Sequence, residues 1–311
     1  RLLVQIRARS PEMSAIACVT GPALLLAQWR SLDACSGKVF ECGPSTYEVG
    51  RRYELGRRLG AGAFGEVFRA TSRRDGREYA LKIVGKRGAG EREAIVQSGL
   101  EHPHIARMIE SFWAAGRLCI ATEICEGGLL FDALEHHGRF PESQARAAFS
   151  QMLGAVAYLH SRAVAHRDLK LESFLLKRNG ASLGRSGLKL IDFGFARRFT
   201  PGERSLKTKC GSRGFFAPEV LRDDAYDERC DVYSCGVILH CLLCDDMPFA
   251  PRPEGDSPGR AGDVGFGGEE VRRSITVAAR KTIAWVLERS PENRPHAQQV
   301  LESSWLQVRK T

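Results

Sequence analysis

The sequence lacks an apolar segment long enough to cross a membrane. Among its 311 residues, one uncharged run includes Met13 to Gln28, and Gly21-Pro22 interrupts that run. A membrane-spanning helix needs about 20 predominantly apolar residues. We therefore predict no membrane span in this chain.

The sequence also lacks a block of lysine and arginine residues interleaved with aromatic residues, which would indicate a nucleic-acid-binding face. The net charge is nevertheless +9, from 46 lysines and arginines against 37 aspartates and glutamates. The arginines are spread along the chain, as is typical of a solvated surface. We predict no nucleic-acid partner, and a site for a nucleotide polyphosphate would use part of the positive charge.

A disulfide framework is absent as well, although the sequence contains ten cysteines. Four of them, Cys230, Cys235, Cys241 and Cys244, lie in one apolar stretch. The last two have the spacing of a zinc-binding pair, but no second pair or histidine cluster accompanies them. We predict buried, reduced thiols and, from that redox state, a cytoplasmic or nuclear protein.

The first part of the chain has the pattern of an extension followed by strands. Residues 1–52 are predicted to be a poorly ordered N-terminal extension. Tyr53 to Val84 has the pattern of strands, with a turn signal at Arg73-Arg-Asp-Gly76. A short helix is predicted over Glu91 to Leu100, and another strand over Arg117 to Ile124.

The second part of the chain changes to a helical period. Apolar residues share one helical face over Glu142 to His160, and Arg229 to Leu243 is apolar nearly all round. Further helices are predicted over Arg280 to Glu288 and Ala297 to Glu302, and a loop over Ala250 to Gly268. The fold class is therefore α+β, with a small strand-rich lobe before a larger helical lobe.

A glycine-rich turn interrupts the predicted strands. Gly60-Ala-Gly-Ala-Phe-Gly65 is followed by Val67. Glycines let backbone amides approach phosphates closely, because no Cβ intervenes. A dinucleotide-binding loop would lead directly into a helix, whereas Glu66 to Ala70 has a strand pattern. The pattern alone leaves open a glycine-rich hairpin that binds nothing.

Three further motifs carry charged groups suited to phosphate chemistry. Lys82 lies within an apolar strand, and Glu93 is its candidate partner. In His166-Arg-Asp168-Leu-Lys170 the aspartate can orient a hydroxyl nucleophile, and the lysine can neutralise phosphoryl charge. Asp192-Phe-Gly194 follows an apolar strand and supplies a carboxylate for Mg²⁺.

The order and spacing of these motifs resemble those of eukaryotic-type serine/threonine protein kinases, over about Tyr53 to Leu306. Ala217-Pro-Glu219, Asp231-Val-Tyr-Ser-Cys-Gly236 and Arg294 match further motifs of that family. The resemblance implies a bilobal kinase domain over residues 53–306, with an N-lobe at about 53–122 and a C-lobe at about 128–306. The implied activity is transfer of the ATP γ-phosphate to serine and threonine hydroxyls of protein substrates, with Mg²⁺ as the metal.

Within the family, the segments around Asp168, Asp192 and Lys207-Thr-Lys-Cys-Gly211 look most like calcium-dependent (calcium/calmodulin-dependent) protein kinases. That group normally carries EF-hands, and this sequence contains no EF-hand loop motif. The resemblance therefore implies a separate calcium-sensing regulator.

The resemblance also implies a role for each matching residue. The catalytic residues would be Asp168, Lys170, Lys82 and Glu93, and the metal ligands would be Asp192 and Ser173. Thr122 would be the gatekeeper, and Ser212 matches a threonine near the catalytic aspartate. The residues that would contact ATP are Leu59, Gly60, Ala61, Gly62, Ala63, Phe64, Gly65, Val67, Ala80, Lys82, Glu123, Cys125 and Leu175.

Four departures from the family pattern affect the expected activity. The Lys82–Glu93 spacing of 11 residues is shorter than in the family, and the loop over Ala250 to Gly268 replaces most of a helix of the large lobe. Ser173 stands where the family has a metal-binding asparagine, and a hydroxyl is a poorer ligand that cannot form both of the amide's hydrogen bonds. Leu129 stands where the family has a glutamate that recognises arginine in substrates, which leaves Glu172 as an arginine contact. We expect a slow kinase; the alternative is a pseudokinase that serves as an ATP-binding or interaction scaffold.

A further hypothesis concerns the segment between the Asp192 and Glu219 motifs. Arg167, next to the catalytic aspartate, would pair with a phosphate group there. The candidate acceptors of that phosphate are Thr200, Ser205 and Thr208.

Overall fold

A computed structural model of the chain describes residues 44–62, 65–84, 89–179, 182–222, 224–249 and 264–307. These residues form two compact units. The first contains residues 44–101 and 106–124, and the second contains residues 102–105 and 125–307. The predicted α+β class is confirmed, because the first unit is built on a five-stranded sheet and the second is mainly helical.

The sheet of the first unit is antiparallel throughout, in the order β1-β2-β3-β5-β4. Its strands are β1 (Tyr53–Gly62), β2 (Gly65–Ser72), β3 (Glu78–Val84), β4 (Met108–Ala114) and β5 (Arg117–Glu123). Helix α2 (Ala89–Gln97) follows β3 and begins two residues before the predicted helix. One face of the sheet buries aromatic and aliphatic side chains, with the rings of Tyr53 and Phe112 stacked 5.9 Å apart.

Residues 44–52 correct the expectation of a poorly ordered extension. They form helix α1 (Pro44–Arg52), which leads directly into β1. Val49 is buried in the core of the first unit, and the Glu48 carboxylate accepts a hydrogen bond of 2.6 Å from the N–H of Ala115. The nine-residue helix is too short to be stable alone, so its order depends on these contacts. Residues 1–43 lie outside the described residues.

The second unit contains eight helices among its described residues. They are α3 (Leu130–His137), α4 (Glu142–Ser161), α5 (Leu183–Ser186), α6 (Pro218–Leu221), α7 (Arg229–Cys244), α8 (Glu269–Ser274), α9 (Val277–Val286) and α10 (Ala297–Leu301). Two short antiparallel pairs accompany them: β6 (Val164–Ala165) with β9 (Arg197–Arg198), and β7 (Phe174–Leu176) with β8 (Leu188–Leu190). The predicted helices over residues 142–160, 229–243 and 297–302 are confirmed within two residues, whereas α9 begins three residues early.

Helix α7 is the centre of the second unit. Every residue from Cys230 to Cys244 is buried, as the all-round apolar pattern predicted. Helices α4 and α9 pack against it, and α4 uses the apolar face identified from the sequence. The four cysteines of α7 are free, and burial raises the pKa of each thiol, to about 12 for Cys244. Their predicted structural role is thus confirmed.

The structure describes only the last five residues of the predicted loop over residues 250–268. Residues 250–263 lie outside the described residues, and residues 264–268 contain no helix or strand before α8 begins at Glu269. Within the described ranges, no helix combines the length and apolarity that crossing a bilayer requires.

Gly236 allows the closest approach between α7 and the α9 region. A Cβ atom at this position would lie 2.6 Å from a methyl group of Val286 and 3.0 Å from one of Leu287. Both neighbours are completely buried, so neither side chain has open space into which it can move. Glycine in the middle of a helix is unfavourable by about 1 kcal/mol relative to alanine. The packing of α9 on α7 therefore explains why glycine stands here.

We predict that Gly236→Ala lowers the free energy of unfolding by about 1–2 kcal/mol, because overpacking outweighs the gain in helix propensity. Gly50→Ala in α1 is the matched control, since a Cβ there meets no atom within 4 Å. Denaturant unfolding of both variants tests this. Equal stability changes in the two variants would contradict the packing argument.

Candidate active site

The loop between β6 and β7 carries the His166-Arg-Asp168-Leu-Lys170 motif. It leaves β6 at Ala165 and ends in a 3₁₀ turn at Leu171–Ser173, directly before β7. Arg167 has a φ of +70°, a left-handed conformation that is unfavourable for a side chain of its size. Such strain persists only where surrounding contacts over-determine the backbone.

The Asp231 carboxylate, near the start of α7, supplies those contacts. It accepts hydrogen bonds of 2.8 Å from the backbone N–H groups of both His166 and Arg167. The ring of His160, near the end of α4, lies 3.0 Å from the same carboxylate. Because two consecutive amides point at one carboxylate, the loop backbone is fixed at its most strained residue.

The charge of Asp231 is maintained in spite of its complete burial. Desolvation alone would raise the pKa of this carboxyl group, but hydrogen bonding and charge from His160, with the His166 and Arg167 contacts, outweigh it. The net result is a pKa below the ordinary value of 3.8. Asp231 therefore stabilises the fold above that pH, and this stabilisation is lost as the pH falls through the lowered pKa.

Two side chains, those of Ser212 and Lys170, contact the Asp168 carboxylate. Its Oδ1 accepts a hydrogen bond of 2.8 Å from Ser212 Oγ, and its Oδ2 lies 3.1 Å from Lys170 Nζ. Lys170 Nζ also donates to Ser212 Oγ at 2.8 Å, which closes a triangle. The carboxylate, which the sequence predicted to orient a nucleophile, is thus held from both sides.

Ser173 contributes a different contact. Its hydroxyl donates a hydrogen bond of 2.8 Å to the backbone carbonyl of Asp168, so it fixes the main chain of that residue. Its own carbonyl accepts from the N–H of Ile191 at 2.9 Å, which ties the loop to the strand before Asp192. The serine therefore positions Asp168 even though it lacks the amide oxygen of the family's asparagine.

Asp192 is the next residue after Ile191, and its carboxylate is suited to metal binding. Its side chain is exposed, and its φ of +64° turns the chain sharply after β8. Mg²⁺ is usually held by one or two protein carboxylates together with substrate phosphates and water. The exposed carboxylate of Asp192 fits that requirement, whereas the Ser173 hydroxyl is buried and already donates to the Asp168 carbonyl. No group of three or more metal-ligating carboxylate, imidazole or thiol side chains occurs in the described part of the chain.

His166 joins the two halves of this site. Its ring packs edge-on against Phe193, with centroids 5.2 Å apart, and its Nε2 lies 3.3 Å from the carbonyl of Ile191. Its Nδ1 accepts a hydrogen bond from the Asp168 N–H at 3.4 Å. This single side chain therefore connects the backbone of Asp168 with the residues on both sides of Asp192.

Arg167 is almost completely buried and bonded within the protein. Its Nε donates to the Phe195 carbonyl at 2.9 Å and its Nη1 to the Tyr226 hydroxyl at 3.2 Å. Tyr226 in turn donates to the Thr208 carbonyl at 2.7 Å. Burial is the main cause of the raised pKa of the nearby Cys210 thiol, which is therefore mainly protonated and poorly reactive at neutral pH. Whether Arg167 also pairs with a phosphate group stays a prediction.

The first unit brings its own candidate pair together. Lys82 Nζ, in β3, lies 2.7 Å and 2.8 Å from the two carboxylate oxygens of Glu93, in α2. The Glu93 side chain is only 4% exposed and that of Lys82 17%. The pairing predicted from the sequence is formed despite the short spacing between the two residues.

The glycine-rich turn joins β1 and β2 in the same unit. Gly60 pairs with Val67 and Gly62 with Gly65 across the two strands. Gly65 has a φ of +144°, and a Cβ there would lie 2.2 Å from the Ile83 carbonyl oxygen, so only glycine fits. Ala63 and Phe64, which come between Gly62 and Gly65 in the sequence, lie outside the described residues.

The remaining predicted ATP contacts fall in both units. Leu59 and Ala61 lie on β1, while Ala80 and Thr122 are cross-strand neighbours on β3 and β5. Glu123 ends β5, and its carboxylate accepts a hydrogen bond of 2.8 Å from the Arg107 N–H. Cys125 and Leu175 belong to the second unit, Leu175 within β7. Their roles toward ATP stay predictions.

The sequence analysis missed three residues that shape the site: His160, Tyr226 and, in its anchoring role, Asp231. Asp231 was identified only as part of a family motif, and its place as a lone aspartate near the start of an otherwise apolar helix is a signal that could have indicated its anchoring role. Tyr226 and His160 have no comparable signal, because their partners lie 18 and 71 residues away in the sequence.

Comparison with known proteins agrees with the geometry of the site. The chain matches the protein kinase domain family over residues 53–306. Serine/threonine-protein kinase 33 of Mus musculus is 31% identical over 301 residues, which cover 90% of this chain and 60% of that protein. CBL-interacting serine/threonine-protein kinase 20 of Arabidopsis thaliana is 34% identical over 268 residues, 83% of this chain and 59% of that protein.

A shorter match has higher identity. Testis-specific serine/threonine-protein kinase 3 of Homo sapiens is 39% identical over 208 residues, which cover 63% of this chain and 75% of that protein. The chain spans about 60% of the length of the two longer relatives.

For the phosphoryl transfer that the match to the protein kinase domain implies, we predict that Ser212→Ala lowers kcat about 10- to 100-fold. Hydrogen bonds to charged groups contribute about 1.5–3 kcal/mol, and both Asp168 and Lys170 lose one. Ser212→Thr keeps the hydroxyl and should retain most of the rate. Steady-state kinetics with a peptide substrate measures both. An unchanged kcat in Ser212→Ala would show that the triangle is not needed.

Proposed function

Because this chain belongs to the protein kinase family, we propose that it transfers the γ-phosphate of ATP to serine and threonine hydroxyls of protein substrates. The observation that carries the proposal is the triangle of Asp168, Lys170 and Ser212. Asp168 and Lys170 lie on the loop that Asp231 fixes. The chain spans about 60% of the length of the longer relatives. The activity of the whole protein is therefore also a proposal.

The proposed reaction assigns one task to each side chain. The acceptor hydroxyl forms a bond to the γ-phosphorus while the bond to the β-phosphate oxygen breaks, and ADP leaves. Asp168 accepts the proton of that hydroxyl, and Lys170 neutralises charge on the phosphoryl oxygens. Lys82, held by Glu93, would bind the α- and β-phosphates. Mg²⁺, when held by Asp192 and Ser173, would neutralise phosphate charge.

Ser173 lowers the expected rate without removing the reaction. Its hydroxyl retains the contact to the Asp168 carbonyl, so the positioning part of the asparagine's role is kept. The metal-binding part is weakened, because a hydroxyl is a poorer ligand than an amide oxygen. The alternative of a pseudokinase scaffold rests on this substitution, on the short Lys82–Glu93 spacing and on the altered loop over residues 250–268. The formed ion pair between Lys82 and Glu93 speaks against the argument from spacing.

We predict measurable transfer of labelled γ-phosphate to a mixed serine/threonine peptide pool in the presence of Mg²⁺. Asp168→Asn should abolish transfer, because the proton acceptor is lost, and Ser173→Asn should raise the rate roughly tenfold or more by restoring a metal ligand. Calorimetric titration of Mg²⁺ with a non-hydrolysable ATP analogue provides an independent readout of the same ligand.

Two results bear on the alternative. A folded wild-type protein that binds ATP but transfers no more phosphate than Asp168→Asn would rule out the catalytic proposal and leave the scaffold. Equal metal affinity in the wild type and in Ser173→Asn would show that residue 173 does not bind the metal.

We also propose that the substrate carries a basic residue N-terminal to the acceptor. Oε2 of Glu172 is buried and forms no hydrogen bond, which is costly for a carboxyl group. Burial is the main cause of the raised pKa of Glu172, and the Asp168 and Asp132 charges add to it while Lys170 opposes it. Glu172 as a whole is only half-buried, so a change of its rotamer would bring this carboxylate to an arginine side chain of a substrate.

We predict that Glu172→Gln reduces the ratio of kcat/KM for arginine-containing over alanine-substituted peptides by about tenfold, since an ion-paired hydrogen bond is lost. The preference for arginine-containing peptides should strengthen as the pH rises, because the raised pKa of Glu172 keeps its carboxyl group neutral at low pH. Glu302→Gln, at an exposed site, is the control. A ratio that is unchanged by Glu172→Gln contradicts the assignment.

Location and regulation complete the proposal. The reduced cysteines of α7 support a cytoplasmic or nuclear location. The assignment to the calcium-dependent group and the separate calcium-sensing regulator rest on the motif resemblance alone, and the relatives named above carry the names of other kinases.

A further inference from the structure

The second unit has an open groove beside α8 and α9, formed by residues that the proposed reaction does not use. Its volume is about 530 Å³. Glu269, Arg272, Arg273, Ile275, Thr276, Val277 and Arg280 line it. The groove therefore lies where the two helices meet at Ile275 and Thr276.

The groove has a fixed framework. The Glu142 carboxylate accepts hydrogen bonds of 2.8 Å from both the N–H and the hydroxyl of Thr276. The Thr276 hydroxyl accepts from the Ala279 N–H and so caps α9. Ile275 is buried beneath this junction. The junction between the two helices is thus anchored to α4 through Glu142.

The charge of the groove is strongly positive. Arg273 forms an exposed ion pair of 3.1 Å with Glu269. Arg280 donates to the Arg272 carbonyl at 3.0 Å, which keeps it close to the end of α8. Among the described residues, no carboxylate pairs with Arg272 or Arg280. Two guanidinium groups in the groove are therefore available to an anionic partner.

An apolar surface continues from the groove along α9. Val277 is 57% exposed and Trp285 is 40% exposed, and they rank among the few large apolar side chains that the second unit leaves in solvent. Val277, Lys281 and Trp285 are spaced at i, i+4 and i+8, so they lie on one side of the helix. A basic groove thus continues into an apolar stripe that also carries a lysine.

We propose that this groove and stripe bind an acidic linear segment of a partner protein that carries a large apolar side chain beside its carboxylates. The carboxylates would pair with Arg272 and Arg280, which bind carboxylates through two parallel hydrogen bonds. The apolar side chain would cover Val277 and Trp285. Aromatic and arginine residues are the usual energetic centres of protein interfaces.

The charge distribution favours a peptide over a nucleic acid. Glu269 lines the same groove and would repel a continuous phosphate backbone, whereas a peptide places its carboxylates only where guanidinium groups face them. The proposal concerns binding and is independent of phosphoryl transfer, so it can fail while the proposed function holds.

The test uses the full chain and a fluorescein-labelled synthetic peptide with four glutamates next to a tryptophan. We predict saturable binding by fluorescence anisotropy that weakens as salt is raised, because ion pairs at an exposed surface are screened. Arg272→Glu/Arg280→Glu should lower the affinity at least tenfold, because like charges then face each other. Val277→Ser should lower it severalfold with the charge unchanged.

The matched control is Arg178→Glu/Arg185→Glu, which changes the net charge equally at exposed positions elsewhere in the same unit. Arg272→Gln/Arg280→Gln, checked by circular dichroism, replaces the reversal variant if that variant does not fold. The proposal would be overturned if the groove and control variants lost the same amount of peptide affinity, or if the wild type bound no peptide at low salt. Displacement of the peptide from the groove by single-stranded RNA would overturn it as well. The rate of phosphoryl transfer to a short peptide without acidic residues should be the same in all folded variants.

Discussion

One buried carboxylate, that of Asp231, holds the backbone on which the rest of the site is built. It accepts hydrogen bonds from two consecutive amides, and the second belongs to a residue with a φ of +70°. Without this carboxylate both N–H groups would be buried and unpaired, at a cost of about 1–3 kcal/mol each. Because Asp231 lies on the most buried helix of the second unit, the shape of the loop is tied to the core itself.

A buried ion pair fixes the C-terminal end of the segment between Asp192 and Glu219, which carries Ser212. Arg294 donates hydrogen bonds of 2.6 Å and 3.0 Å to the two oxygens of Glu219, and both side chains are almost fully enclosed. Removing one partner of such a pair leaves an uncompensated charge and costs about 3–5 kcal/mol. The segment between Asp192 and Glu219 is thus held at both ends. Ser212, seven residues before Glu219, can therefore reach Asp168 with a fixed geometry.

The motifs, the helical core and the Lys82–Glu93 pair could be predicted because each has a local pattern in the sequence. The apolar face of α4 has the helical period, and the charged motifs occur in the order that the kinase family uses. Helix α1 was missed because it is ordered by a contact between Glu48 and a strand end 67 residues away. The bond between Tyr226 and Thr208 joins two loop segments, and the groove beside α8 depends on where two helices meet. No local sequence pattern encodes either arrangement.

Ser173 illustrates how the loop separates two tasks that an asparagine would combine. Its hydroxyl holds the Asp168 carbonyl. In the proposed mechanism, metal binding would fall mainly to Asp192. This separation works only if Asp231 keeps the loop backbone in place. The most direct measurement is amide hydrogen exchange at His166 and Arg167 in the wild type and in Asp231→Asn. Our account predicts faster exchange at both amides in the variant while the amides in the middle of α7 remain protected. Equal protection of both amides in the two proteins would contradict it.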